Sequence, residues 1–253
     1  MGALTTAGVM LAATAGAGLA GLALSRRLPG HHLDAASRDA VRLVAGFVAA
    51  LTALVLGLLL ASAKANFDER SGQLHRIAAD VVALDRALAR YGEGAQEARD
   101  VLRAVLTDEF ARLSEGNRLR GAGLELAARD ARLLGFYDSL QALAPQTEGQ
   151  RAARDRAAQL AEGIAATRVL MTQDPGGSIP SPFLVVLGSW LAIMFASFGL
   201  FAPANATVVA ALQAGAASVA GAVFLILELD RPLDGLMRLS TEPLRHAIET
   251  VGR

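Results

Sequence analysis

The chain has no cysteine. That absence excludes a disulfide framework, thiolate catalysis and any thiolate metal site. Net charge is missing too: 24 basic and 24 acidic residues cancel over 253 positions. Without an excess of positive charge there is no electrostatic footprint for nucleic acid. Lysine is nearly absent, Lys64 standing alone against 23 arginines, which reads as a codon bias rather than a mechanism. No Gly-rich phosphate loop, nucleophile elbow or zinc-protease motif occurs. The sequence therefore points to no enzyme class and calls for no cofactor.

The most telling absence is local. The 53 residues from 175 to 227, between Asp174 and Glu228, carry no formal charge. A water-soluble domain would have to bury all of them. A bilayer accepts them directly, since about 20 apolar residues cross its hydrocarbon core. Pro203-Ala204-Asn205 sits near the middle, where a hairpin needs its turn. Residues 1–25 and 43–63 are likewise free of charge, closed by Arg26-Arg27 and by Lys64. The first run lacks the basic leader of a signal peptide, and its apolar part is too long for one, so it reads as a retained helix. Four spans are predicted, near 3–25, 41–63, 182–202 and 206–229.

What the ends lack in charge, the middle holds. Between residues 64 and 180 there are 16 basic and 17 acidic side chains. That segment reads as helical throughout, with no strand pattern. Leu74, Ile77, Val81, Leu84 and Leu88 trace one helix face. Nothing between Leu60 and Asn66 breaks a helix, so this first helix is expected to continue the second span. Tyr91-Gly92-Glu93-Gly94 ends it. Further helices are predicted near 95–114 and 124–143. The latter buries Leu126, Leu133, Phe136, Tyr137 and Leu140. Thr147-Glu148-Gly149-Gln150 fits a capping box for a fourth helix. Asp174-Pro175-Gly176-Gly177 breaks that one. After the hairpin, Ser240-Thr241-Glu242-Pro243 starts a short amphipathic helix, capped by Ser or Thr. It should lie against the helical domain or the membrane surface.

The fold class is thus all-α: an integral membrane protein with four transmembrane helices and a helical, about four-helix, extramembrane domain between spans 2 and 3. Its parts are spans 1 and 2 (1–63), the helical domain (64–174), the transmembrane hairpin (175–229) and a C-terminal interfacial tail (230–253). Four spans put the 26–42 loop and the Pro203 turn on one side and everything else on the other. Basic residues near the span ends lean toward a cytoplasmic helical domain, while Arg26-Arg27 after the first span argue the reverse.

Few residues suggest chemistry. His31-His32-Leu33-Asp34, with Asp39, offers imidazole and carboxylate donors. The segment is short and lacks helical ligand spacing, so a solvated turn is the favoured reading and no metal site is predicted. The second span has a small-residue stripe, Gly46, Ala50, Ala53 and Gly57, expected to pack against a neighbour. It also has a bulky stripe, Phe47, Leu51, Val55 and Leu58, which faces lipid or lines an apolar constriction. The fourth span has its own small stripe at Ala214, Ala217 and Gly221. Gln213 within it should find an interhelical hydrogen bond. The span closes on Glu228, Asp230 and Asp234, where ionisable groups are costly and often functional. They form either an acidic ion site at a pore mouth or a set of helix-end acids held by Arg231 and Arg238.

The string Leu227-Glu228-Leu229-Asp230-Arg231-Pro232-Leu233-Asp234-Gly235, followed by Ser240-Thr241-Glu242-Pro243, resembles the C-terminal signature of the bestrophin-like family of bacterial membrane proteins. The Arg26-Arg27-Leu28 junction and the order of spans and domain are similar too. By that resemblance the chain would be a channel of the bacterial inner membrane, a homo-oligomer, pentameric by analogy, passing small anions across the lipid bilayer. Phe47, Leu51 and Val55 would then be the candidate neck residues, by span order. The dense acidic clasp of calcium-activated bestrophins has no counterpart beyond Glu228, Asp230 and Asp234. The alternative is a membrane-anchored sensor or scaffold whose helical domain binds a ligand or a protein.

Overall fold

The computed structural model describes residues 2–29, 34–115, 132, 134–173, 179–230, 240 and 242–251. The described elements are helical, with no strand among them: α1 (Ala3–Ser25), α2 (Ala35–Tyr91), a 3-10 turn (Glu93–Ala95), α3 (Gln96–Glu115), α4 (134–141), α5 (Glu148–Gln173), α6 (Ser181–Phe201), α7 (Ala206–Leu229) and α8 (Glu242–Thr250). Four helices are long and apolar enough to cross a membrane: Ala3–Ser25, Ala35–Tyr91, Pro182–Phe201 and Ala206–Leu229. These match the four spans expected from the charge-free runs.

Two compact units divide the chain, parting within α2 between Phe67 and Asp68. The first holds α1, the start of α2, α6 and α7. Its inner cluster joins Met10 of α1, Leu187 and Leu191 of α6, and Val223 and Leu227 of α7. α1 and α6 meet through glycine. A Cβ on Gly21 would fall inside van der Waals contact of the Ala196 carbonyl oxygen, and one on Gly199 inside that of Gly18. Only hydrogen at these positions lets the two backbones approach, as in other small-residue crossings in membranes. Hydroxyls here are turned inward on their own helices. Thr14 donates to the Met10 carbonyl at 2.8 Å and Thr52 to that of Val48 at 2.7 Å, which spares lipid an unpaired donor.

In the second unit, α2 continues without interruption to Tyr91. Gly92, at φ 101°, turns the chain in a conformation that only glycine adopts freely. The core combines Val81, Leu84 and Leu88 of α2 with Leu102 and Leu106 of α3, Phe136 and Leu140 of α4, and Ala157 and Leu160 of α5. The predicted capping box is present: Gln150 N–H donates to the Thr147 hydroxyl at 3.2 Å, and Thr147 N–H to the Gln150 side-chain oxygen at 3.3 Å. Gln150 also donates to the Tyr91 carbonyl at 3.3 Å, linking the start of α5 to the end of α2. α8 belongs to this unit, with Ala247 and Val251 buried in its core. Of its two expected caps, Ser240 accepts from Glu242 N–H at 3.3 Å, and Thr241 lies outside the described residues. Leu126 and Leu133, expected in the third domain helix, lie outside them too.

Candidate functional site

The membrane part of α2 is apolar around its whole circumference, so its sequence cannot say which face turns inward. The structure does. Ala45, Thr52 and Ala63 are buried, and Val55, Leu56 and Leu59 pack against the inner cluster. The opposite face is open: Phe47 is 66% exposed, Leu54 69% and Leu58 70%. Of the three neck candidates, Phe47 points outward, Leu51 is half-buried on the flank, and Val55 is half-buried against the cluster. The cause is helical geometry. Each step of four residues drifts about 40° around a helix of 3.6 residues per turn. Phe47, Leu54 and Leu58 therefore share a face that Val55 has left.

The small stripe of α2 has no neighbour among the described residues. Nothing lies within 4 Å of a Cβ built on Gly46 or Gly57. Ala214, Ala217 and Gly221 of α7 are exposed as well, and the residues that pack, Ala216 and Ala220, lie one position before Ala217 and Gly221. Close helix approach falls instead to Gly18, Gly21 and Gly199, which no stripe in the sequence had marked. Gln213 departs from expectation: its side-chain nitrogen is buried and has no hydrogen-bond partner among the described residues. The hydroxyls of Thr14, Ser197 and Ser218 donate to carbonyls of their own helices, and none of them accepts from Gln213.

At the other end of α7 the two described acids are buried, Glu228 and Asp230 each at 4% exposure. Asp230 caps the helix, donating its N–H to the Ile226 carbonyl at 3.0 Å. Its carboxylate accepts from Ile179 N–H at 3.4 Å, which ties the segment entering α6 to the end of α7. A carboxylate at a helix C-terminus opposes the helix dipole, so such donors are needed to hold it there. Both acids also take part in further polar interactions. Asp234, Arg231 and Arg238 lie outside the described residues, as do His31 and His32. Among the described residues no three potential metal ligands come together.

A family model for the bestrophin-like domain matches residues 12–244. The chain belongs to the bestrophin-like family. The match runs from α1 into α8 and so takes in all four candidate spans. No curated protein and no solved structure matches this bestrophin-like chain.

Proposed function

We propose that the protein is an oligomeric membrane channel of the bestrophin-like family, passing small anions, with α2 forming the neck of the pore. Residues 68–173 then stand outside the bilayer. One observation carries the reading: α2 is the span least covered by its own chain. In its most apolar window 11% is buried, against 28%, 28% and 22% for α1, α6 and α7. Every span shows some apolar surface to lipid. α2 leaves a bulky face, Phe47, Leu54 and Leu58, and a small face, Gly46 and Gly57, uncovered by the described residues. A small face permits close approach of helices from other copies. The bulky face, turned to a shared axis, makes an apolar constriction that opens and closes by wetting.

The chain lacks native thiols, so Phe47→Cys tests the arrangement cleanly. Oxidation in membranes is expected to link copies through Phe47→Cys and to leave Leu19→Cys, on the exposed face of α1, unlinked. Equal linking at both positions, or none at either, would remove α2 from the axis.

A further inference from the structure

A groove of about 230 Å³ runs between α2 and α6 in the membrane unit. Val41, Val44 and Val48 line one wall, and Ile193, Met194 and Ser197 the other. The Ser197 hydroxyl is already donated to the Ile193 carbonyl at 2.8 Å, so it adds little polarity. Pockets that enclose a whole small ligand hold about 300–1,000 Å³. This groove is smaller and open along its side. It suits a length of hydrocarbon chain better than a compact solute.

Arg38, Val41 and Ala45 follow one another at helical spacing on α2, which sets Arg38 one turn beyond the groove wall. Its Nε is buried and has no hydrogen-bond partner among the described residues. Arg42 reaches only the exposed Asp39 carboxylate, at 3.9 Å. Arg26 and Arg27 follow the end of α1 across the same short loop. A guanidinium whose Nε lacks a partner among the described residues, one turn beyond an apolar channel, fits a phosphate joined to an acyl chain. The planar fork of arginine fits phosphate oxygens, whereas a free anion would leave the groove empty.

We propose that the α2–α6 groove seats one acyl chain of an anionic phospholipid whose phosphate is bound by Arg38, with Arg26, Arg27 and Arg42 supplying the surrounding positive field. The lipid is then a fixed part of the protein, filling the gap beside the least covered span.

Native mass spectrometry of the full chain in mild detergent tests this, with phosphatidylglycerol or phosphatidylcholine added. The wild type is expected to retain phosphatidylglycerol in preference to phosphatidylcholine. Arg38→Gln should weaken retention about fivefold, the size expected for one basic residue at an anionic surface, and Arg38→Lys should restore part of it. Val44→Trp fills the groove from a residue that is 63% exposed, so the fold tolerates it, and it too should lose the lipid. Unchanged melting of both variants without added lipid separates lost binding from lost folding. Equal retention by wild type and Arg38→Gln, or no preference for the anionic lipid, would overturn the proposal. So would a disulfide between Val44→Cys of one copy and Ile193→Cys of another, which would show a second chain in the groove.

Discussion

Arg99 and Asp85 sit fourteen positions apart, on either side of the Gly92 turn, and close a two-pronged ion pair at 2.8 and 3.1 Å. Their side chains are 14% and 8% exposed. The hydrogen bond to Asp85 raises the arginine above its ordinary value, so it stays charged. Arg99→Met removes two charge-assisted hydrogen bonds from a buried carboxylate, at a cost of about 2 kcal/mol. Denaturant unfolding of the purified protein is expected to show that loss, and a double substitution, Asp85→Leu with Arg99→Leu, should recover much of it. An equal loss in the double variant would mean that packing, not charge, is what Arg99 supplies. This pair was invisible in the sequence, because apolar periodicity marks faces and says nothing of which charges meet across a turn. The Thr147–Gln150 capping box was legible because both partners lie within four residues.

At the scale of elements, length and charge were enough to locate the spans, and the unbroken run past Leu60 was enough to expect one long α2. Faces were another matter. Where every side chain is apolar, no moment distinguishes inside from outside, and small residues recur on all sides. The packing glycines of α1 and α6 were therefore missed, while the stripes on α2 and α7 turned out open. Backbone contact decides the outcome. Gly21→Leu and Gly199→Leu each force a side chain into the facing helix, and overpacking of this kind costs about 1–3 kcal/mol. Both should lower the melting temperature in detergent. Gly16→Leu, with nothing within 4 Å of its Cβ, should leave it unchanged; an equal drop there would deny the α1–α6 crossing its role. Gln213 belongs to the same scale: a buried donor within a span, with no acceptor among the described residues.

The chain forms two units, and the 57-residue α2 contributes to both. The family was readable from about a dozen residues near the end of α7, although several of them lie outside the described residues. Of the buried acids, Asp230 has a structural task, since its carboxylate holds the approach to α6. The outward stripe of α2 has none among the described residues, and that contrast supports the proposal that α2 forms the neck. Anion efflux from liposomes containing the purified chain tests this most directly. The account predicts flux above that of empty liposomes, and faster flux with Phe47→Ala, which widens the neck. Flux no greater than from empty liposomes, for wild type and Phe47→Ala alike across several pH and calcium conditions, would contradict it.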